Sequence, residues 1–329
     1  MRKAIAAVVG ALALFAGGPG AAQTAPPVRT PGITSLTVFG DSLVDAGNVN
    51  ALNPAIPNPA LGYFQGRFTN GYNYNDLLSI ALFGEPTTAS LRGGTNFAFG
   101  GARATTTSNV PDLVEQLGLF GAYLAGGGRV DPTGLFILNF GGNDVFAAIP
   151  PGAPAGYTSD SAFLLDAART YAGAVQTLND LGARTILVTG FPNATPPGLA
   201  FAQEAEILLL SELSRLSLSP DTRLLTFSYL DFFGRLAADP TQFGLPANLN
   251  LSTTCIQARA QPDCTGFFSF DGTHPTAAVH QAVFQDMQRQ FGFSAAVPEP
   301  QTWMLLLLGF GAIGAMMRRR SGERAPQPA

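Results

Sequence analysis

The chain has 329 residues, of which 46% are hydrophobic and only 12% are charged, and its formal net charge is −4. This length can bury a sizeable core and predicts one large domain. Residues 4–298 contain 12 basic and 20 acidic side chains and no lysine, and this acidic balance argues against nucleic acid as a partner.

The first 22 residues have the features of a signal peptide. Arg2 and Lys3 precede an apolar run over residues 4–16, and small residues lead up to a cleavage position after Ala22. A membrane-spanning anchor is the alternative, but the apolar run is too short to cross a bilayer. We therefore expect residues 1–22 to direct export and residues 23–32 to form a linker.

An apolar, β-prone run that begins at Leu36 ends abruptly in Gly40, Asp41 and Ser42. A serine at the carboxyl end of a central parallel strand lies at the sheet edge where ligands bind in open α/β folds. A helix that follows the strand also favours negative charge near its N-terminus. Gly-Asp-Ser alone is weak support, because the same residues form turns and helix caps in ordinary loops.

The next segments are less regular. Residues 48–62 carry three prolines and four asparagines and are predicted to form an exposed loop near the open end of the strand. Residues 66–71 form either a turn or a substrate-facing segment. A short helix is expected over 74–83, and a strand over 95–102 that ends in paired glycines, which allow close approach of the backbone to a ligand.

Strands and helices then alternate along the chain. The nearly unbroken apolar run 135–140 suits a strand that is covered on both faces, and Asn143 and Asp144 follow its carboxyl end. Such alternation predicts an α/β fold with a parallel sheet and helices on both faces. Helices are expected over 111–124, 161–181 and 199–216, strands over 185–189 and 224–227, and a long loop over 239–266.

Cys255 and Cys264 are the only cysteines, and they lie nine positions apart in a polar loop. In an exported protein the compartment is oxidising, so a disulfide is expected between them. A metal site is the alternative, but the chain has only two histidines and therefore too few partners. We expect neither a metal nor a cofactor.

Asp271 and His274 stand three residues apart just before the last predicted helix. One turn of chain would let the carboxylate hold the Nδ1 side of the imidazole and leave Nε2 free for Ser42. Acyl transfer needs such a hydroxyl, base and carboxylate, together with donors for the oxyanion. The other histidine, His280, follows no motif and is expected to be a packed or surface side chain.

Four short segments together carry a family resemblance. Residues 40–43, 96–101, 141–144 and 271–275 fall in the order and approximate spacing of the four motif blocks of the GDSL, or SGNH, esterase/lipase family, and the resemblance covers residues 33–293. It implies a three-layer α/β/α sandwich with a central parallel sheet, similar to flavodoxin. It also implies ester hydrolysis through an acyl-enzyme, without metal or cofactor.

The resemblance implies a role for each site residue. Gly100 is an alternative to Gly101 in the oxyanion hole, but the family's glycine falls five places after the asparagine of its block. Asp41 and Asp144 flank matched positions and are expected to be turn or cap residues rather than acid catalysts. The implied roles are Ser42 as nucleophile, His274 as general base and then acid, Asp271 as its orienting carboxylate, and an oxyanion hole made by the backbone N–H groups of Ser42 and Gly101 and the side-chain amide of Asn143.

The expected function is a secreted carboxylic ester hydrolase of the lipase or esterase type, acting on a lipid or an acylated glycan. Two alternatives remain at this point. One is a polysaccharide O-acetyl esterase, and the other is a non-catalytic envelope or matrix protein that binds glycan through its Asn- and Thr-rich loops.

The C-terminal segment 297–321 resembles a PEP-CTERM sorting signal. Pro298-Glu299-Pro300 is followed by the apolar run 303–317 and then by three consecutive arginines. Fifteen helical residues span only ~22 Å, short of a ~30 Å hydrocarbon core, and the arginines argue against a buried core helix. The resemblance implies transient membrane insertion, removal by an exosortase-type transpeptidase, and delivery to the envelope surface or extracellular matrix of a Gram-negative bacterium.

Overall fold

The computed structural model describes residues 30–106, 108–193, 197–295, 307–310 and 313. The predicted signal peptide 1–22 lies outside these residues, as do most of the linker 23–32 and most of the apolar run 303–317. Among the helices of the described part, none combines the length and the apolar character needed to span a bilayer.

The central sheet has four parallel strands in the order β2–β3–β4–β5. Leu36 pairs with Leu135, Leu135 with Thr185, and Thr185 with Arg223, so the four strands start at one edge and end at the opposite edge. A separate parallel pair joins the first and last strands of the described domain. The strands are β1 (Thr30–Ile33), β2 (Leu36–Gly40), β3 (Leu135–Asn139), β4 (Thr185–Thr189), β5 (Arg223–Phe227) and β6 (Phe293–Ala295).

Helices cover both faces of the sheet. One layer contains α3 to α6, and the other contains α2, α7 and α9, while α1 and α8 are short helices within loops. The helices are α1 (Asn48–Leu52), α2 (Tyr74–Phe83), α3 (Leu113–Ala125), α4 (Gly142–Ala148), α5 (Asp160–Asp180), α6 (Gly198–Leu213), α7 (Tyr229–Ala238), α8 (Cys255–Ala258) and α9 (Ala277–Phe291), with 3₁₀ turns at Pro59–Leu61, Ser90–Arg92 and Pro240–Phe243.

Strand β3 shows why the sheet needs two helical layers. Its five residues are all buried, and their side chains alternate between the faces, as they must in a strand. Phe136 and Leu138 belong to the core beneath α3 and α5, whereas Leu135 and Ile137 belong to the core beneath α2 and α9. The predicted three-layer α/β/α sandwich with a central parallel sheet is confirmed.

The predicted strand 95–102 is the main local difference. Its backbone does run beside β2, because Phe97 N–H donates to Val38 O at 2.7 Å and Val38 N–H donates to Thr95 O at 3.0 Å. On the other edge of the segment, however, the side-chain amide of Asn48 donates hydrogen bonds to two of the segment's backbone carbonyl oxygens. The segment therefore forms only isolated bridges, since a side chain occupies the place of a further strand.

Candidate active site

Ser42 stands on a tight turn at the carboxyl end of β2. The turn is closed by hydrogen bonds from the N–H groups of Val44 and Asp45 to the carbonyl oxygen of Asp41, at 3.2 and 3.0 Å. Glycine is required at position 40, because a Cβ there would lie 2.6 Å from the carbonyl oxygen of Asn139 on β3. The chain can thus leave the sheet sharply and present the serine hydroxyl at the sheet edge.

His274 and Asp271 lie on the turn that precedes α9 and face this serine. The distance from His274 Nε2 to Ser42 Oγ is 2.8 Å, and the distance from His274 Nδ1 to Asp271 Oδ2 is 2.7 Å. The turn is held by Asp271 Oδ1, which accepts the backbone N–H groups of Thr273 and His274, both at 2.8 Å. Three predicted residues, from segments more than 200 positions apart, therefore form one connected chain of contacts.

Asp271 is held in its ionised form. Burial by itself would raise the pKa of this carboxyl, but the hydrogen bond and charge of His274, together with a hydrogen bond from Tyr63, outweigh burial and keep the pKa well below its usual range. The carboxylate is therefore available to orient the imidazole over the whole range in which an esterase would be assayed.

Of the predicted oxyanion residues, Asn143 lines the same small cavity as Ser42. Asn143, in the first turn of α4, donates through Nδ2 to the carbonyl oxygen of Ala102 at 2.9 Å. Gly100 donates its N–H to Asp45 Oδ2 at 3.0 Å, so that group is already used. This favours the neighbouring Gly101, at φ +89°, over Gly100 as a donor.

A small cavity at the sheet edge is lined by Ser42, Asn143 and His274. Gly101 is not among the residues that line it, although both of its chain neighbours bond to residues of this region. A larger cavity of about 260 Å³ shares walls with the small one, including Leu43, Phe146 and Pro192. The described residues that line it combine aromatic and aliphatic side chains with Asn, Ser and Thr, and none of them is charged.

Buried carboxylates hold the loops around the serine. Burial raises the pKa of Asp41 to about 7 and those of Asp45 and Asp144 to about 6, although each accepts backbone N–H groups that lower it. Asp41 accepts the N–H of Leu43, and Asp144 accepts the N–H groups of Ala104 and Thr105 on the neighbouring loop. Asp41 and Asp144 make the contacts of turn and capping residues, as predicted for them.

The segment 66–71 packs against the histidine turn. Arg67 is buried and forms a two-point ion pair with Asp76 in α2, at 2.8 and 3.0 Å, while the ring centroid of Phe68 lies 5.3 Å from that of His274. The two alternatives for this segment were a turn and a substrate-facing segment. Its side chains support the imidazole and α2, which makes it a structural neighbour of the site.

Tyr63 was not singled out from the sequence. Its Oη donates to Asp271 Oδ2 at 2.6 Å, and this is the carboxylate oxygen that also contacts His274. Residue 63 follows the predicted exposed loop and is separated from Asp271 by 208 positions. No periodicity or motif links such distant residues, so the sequence offered no signal for the contact.

Two further predictions concern residues outside the triad. The predicted disulfide between Cys255 and Cys264 is present. His280 is a packed side chain, 2% exposed in α9, and burial lowers its pKa to about 3. Within the described ranges, no three His, Cys, Asp or Glu side chains are grouped so that they could hold a metal ion.

Comparisons with known proteins give two family matches. Residues 36–287 match the model of the GDSL-like lipase/acylhydrolases, and residues 296–320 match the PEP-CTERM protein-sorting motif. The first match contains Ser42, Asn143, Asp271 and His274.

Individual relatives are more distant. Lipase 1 of Photorhabdus luminescens is 31% identical over 176 residues, which cover 51% of this chain and 24% of the lipase. Acetylajmalan esterase 2 of Rauvolfia serpentina is 26% identical over 324 residues, covering 76% of this chain and 88% of that protein. A solved acetylxylan esterase from Geobacillus stearothermophilus is 14% identical with a TM-score of 0.43, covering 82% of this chain and 99% of that chain. This chain spans between 24% and 63% of the length of three of its curated relatives.

Proposed function

This chain belongs to the GDSL-like lipase/acylhydrolase family, and on that premise we propose that it is a serine hydrolase that cleaves carboxylic esters through an acyl-enzyme. One observation carries the proposal. The imidazole of His274 lies between a serine hydroxyl at 2.8 Å and a partly buried carboxylate at 2.7 Å. This order of hydroxyl, base and carboxylate is what activates serine as a nucleophile.

Acylation begins when Ser42 Oγ attacks the carbonyl carbon of the ester. The hydroxyl proton passes to Nε2 of His274, which accepts it because Nδ1 carries the proton that faces Asp271 Oδ2. The resulting imidazolium is stabilised by the Asp271 carboxylate, which stays ionised. The tetrahedral intermediate then collapses, the bond to the alcohol oxygen breaks, and Nε2 returns the proton to that oxygen.

Deacylation uses the same groups in reverse. Water attacks the acyl-enzyme carbonyl and gives a proton to Nε2 of His274. As the bond from the carbonyl carbon to Ser42 Oγ breaks, Nε2 passes that proton to Oγ, which restores the serine hydroxyl as the carboxylic acid leaves. In both steps the negative charge that develops on the carbonyl oxygen needs fixed donors. We assign this role to the backbone N–H groups of Ser42 and Gly101 and to Nδ2 of Asn143, whose position is fixed by its contact with Ala102.

The larger cavity limits the size of the acyl group that the substrate can carry. A volume of about 260 Å³ is small beside the ~300–1,000 Å³ of common ligand sites. Phe146, Phe233 and Phe268 give the cavity apolar walls. The proposed substrate is therefore an uncharged ester with a short or medium-length acyl chain.

A polysaccharide O-acetyl ester is the second candidate. Asn193, Ser252 and Thr253 line the same cavity, and their amide and hydroxyl groups could hydrogen-bond to sugar hydroxyls. Comparing acetyl to palmitoyl p-nitrophenyl esters with acetylated xylan separates the two candidates. A maximum near butanoyl to octanoyl supports the first candidate, whereas much faster deacetylation of the glycan supports the second.

The sorting motif supports a proposal about where the protein is delivered. Because residues 296–320 match the PEP-CTERM motif, we assign the chain to export in a Gram-negative bacterium, processing by an exosortase-type transpeptidase, and transient membrane contact through 303–317. Delivery to the envelope surface or matrix follows from the same assignment. Tracking the mass and cell fraction of the protein with and without Pro298-Glu299-Pro300 tests it, and unchanged processing would refute it.

Replacement of the serine tests the catalytic proposal. Ser42→Ala should lower kcat for p-nitrophenyl butyrate on the order of 10⁶-fold, as in other serine triads. A fluorophosphonate probe should label the parent and fail to label the variant. Ser214→Ala, at the exposed end of α6, is the matched control and should keep the parent's activity. Equal hydrolysis by Ser42→Ala and the parent would overturn the assignment and favour a non-catalytic glycan-binding protein.

A further inference from the structure

We propose that Tyr63 is a positioning residue of the triad, which holds the Asp271 carboxylate against His274 and moderates its charge. This inference rests on the proposed function and adds a residue to it. Among the described residues, four hydrogen-bond donors surround the Asp271 carboxylate, and three of them belong to its own turn: the N–H groups of Thr273 and His274, and Nδ1 of His274. The fourth, Tyr63 Oη, comes from a distant part of the chain.

The hydrogen bond from Tyr63 holds Oδ2 of Asp271, an atom that the backbone donors of the turn do not contact. The backbone donors hold Oδ1, so the carboxylate can still pivot about that atom and move Oδ2 away from the imidazole. Tyr63 Oη lies 2.6 Å from Oδ2 and donates to it, so Oδ2 accepts from two sides at once. A carboxylate held at both oxygens keeps the imidazole aimed at Ser42.

The tyrosine ring is itself held in place. It packs edge-to-face on Phe270, with a centroid distance of 4.9 Å and an interplanar angle of 87°. Phe270 is fully buried, and together with Cys255 and Cys264 it forms a small separate core, against which Tyr63 packs. Because Phe270 directly precedes Asp271, this core supports both the donor and the acceptor of the Tyr63 hydrogen bond.

The disulfide loop is connected to the same point through the backbone. Cys255 N–H donates to Ser269 O, and Ile256 N–H donates to Phe270 O, each at 3.0 Å. The start of the disulfide loop is thus bonded to the two residues that precede Asp271. The disulfide therefore supports catalysis indirectly, by keeping Phe270 and the ring of Tyr63 packed together.

Removing the tyrosine hydroxyl tests the proposal in the full-length protein. Tyr63→Phe keeps the ring and its packing and loses only the hydrogen bond to Asp271. We expect kcat for p-nitrophenyl butyrate to fall about tenfold, with KM within twofold because Tyr63 lines neither cavity. Without the hydrogen bond from Tyr63, the Asp271 carboxylate interacts more strongly with His274, and this favours the imidazolium form. The acid limb of the kcat/KM profile should therefore move to higher pH by about half a unit.

Other titratable groups near the imidazole do not account for this shift of the acid limb. His280 has a pKa of about 3, and burial and Asp271 raise the pKa of Tyr63 above its usual range. Neither group changes its charge near neutral pH. Asp41, with a pKa of about 7, does titrate there, but it is present in the parent and in the variants and cancels in the comparison.

Tyr157 provides a matched control. Its Oη donates to Asp166 Oδ2 at 2.6 Å, and its ring packs edge-to-face on Phe163 at 4.9 Å, so Tyr157→Phe removes the same kind of bond elsewhere. This control should keep kcat and the pH profile of the parent. Unchanged kcat and profile in Tyr63→Phe, or an equal loss in Tyr157→Phe, would overturn the positioning role while Ser42-dependent hydrolysis stands.

A measurement without turnover keeps the two proposals separate. The low-field proton resonance of the Asp271–His274 hydrogen bond should move in Tyr63→Phe and stay in place in Tyr157→Phe. An unmoved resonance in Tyr63→Phe overturns the positioning role, whatever the activity. If the resonance moves but the parent has no Ser42-dependent hydrolysis, the positioning role is supported and the proposed function fails.

A double-mutant cycle tests the link to the disulfide. Replacing Cys255 and Cys264 by Ser together should lower kcat severalfold in the parent and much less in Tyr63→Phe, because both changes act through Asp271 and contacting residues are not additive. Equal losses in the two backgrounds would show that the disulfide acts independently of Tyr63 and would overturn the link.

Discussion

At the scale of single residues, the site depends on buried carboxylates that bind backbone N–H groups. Asp41 holds the turn of Ser42, Asp45 holds Gly100, and Asp144 holds the loop at Thr105. Each such carboxylate satisfies backbone groups that would otherwise be buried without a partner. The proposed oxyanion donors lie next to these loops, so their positions are fixed before a substrate arrives, which is the condition for electrostatic stabilisation of a transition state.

Asn143→Ala tests this preorganisation. We expect kcat to fall roughly 10²–10³-fold, the cost of losing one oxyanion donor, with KM changed only slightly because the ground-state ester carries little charge on its carbonyl oxygen. The melting temperature should change little, since the lost Nδ2 contact with Ala102 is worth only ~1 kcal/mol. Steady-state kinetics and a thermal melt measure both quantities.

Gln176→Ala is the comparison for Asn143→Ala. Gln176 lies in α5 and donates through its side-chain amide to Ser217 O at 3.0 Å, so this variant loses a similar contact at a distance from the serine. It should keep the parent's kcat. A loss below tenfold in Asn143→Ala would remove Asn143 from the oxyanion hole.

At the scale of elements, α2, α9 and the end of β3 meet around a buried polar group. Tyr74 of α2 and Tyr229 of α7 both donate to Asn139 Oδ1, at 3.0 and 2.9 Å. His280 of α9 stacks on Tyr74, with ring centroids 6.4 Å apart. His280 Nδ1 is buried without a hydrogen-bond partner in the described part of the chain, so the folded protein resists protonation of this imidazole.

This burial makes the contribution of His280 to stability depend on pH. Its folded-state pKa of about 3 lies below the ordinary value of 6.5, so between these values the unfolded state binds more protons. Stability from this group is therefore complete above pH 6.5 and is lost as the pH falls towards 3, by up to ~1.4 kcal/mol per pH unit. In His280→Phe this loss should vanish, so the free energy of unfolding of the parent relative to the variant should be about 2 kcal/mol lower at pH 5 than at pH 7.

Urea unfolding of the parent and of His280→Phe at pH 7 and pH 5 measures this difference. Asp41, Asp45 and Asp144 act in the opposite direction, because their raised folded-state pKa values make stability fall as the pH rises from about 4 to 6 or 7. Because these three carboxylates are present in both proteins, their contributions cancel in the difference between parent and variant. A difference between parent and variant that is the same at both pH values would contradict the prediction.

At the scale of the whole molecule, the described domain ends at the sheet edge opposite the candidate active site. Ile33 pairs with Ala295, and only two residues separate Ile33 from the start of β2. Ser42 follows the other end of β2, which at ~3.3 Å per residue is ~16 Å away along the strand. A sorting segment that follows Ala295 is therefore attached at the sheet edge away from the catalytic cavity.

A chain that ends at Ala295 should keep its activity. Without residues 296–329, kcat/KM for p-nitrophenyl butyrate should stay within twofold of the parent, because the attachment point does not contribute to the site. A chain that ends at Phe291 is the contrasting variant: it also loses Phe293, which is 5% exposed and packs on Phe291, and should be destabilised by ~3–5 kcal/mol. A large loss of kcat/KM in the chain that ends at Ala295 would refute the separation of the two ends.

The sequence by itself determined the alternation of strands and helices, the disulfide, the family, and the candidate residues Ser42, Asp271 and His274. Each of these depends on local pattern: apolar runs of strand or helix length, residues at strand ends, and short motifs in a recognisable order. That information is carried by residues near one another in the chain, where periodicity and turn chemistry act directly.

Only the tertiary structure decided the rest. The contact of Tyr63 with Asp271, the packing of Phe68 on His274, the pairing of Ile33 with Ala295, and the side chain of Asn48 in place of a strand neighbour all join distant segments. Such contacts leave no periodic trace in the sequence, because they depend on how separate elements pack in space rather than on the order of neighbouring residues. The proposed nucleophile is therefore recognisable from a local motif, whereas the groups that hold it and the proposed base in position come from the packing of the whole fold.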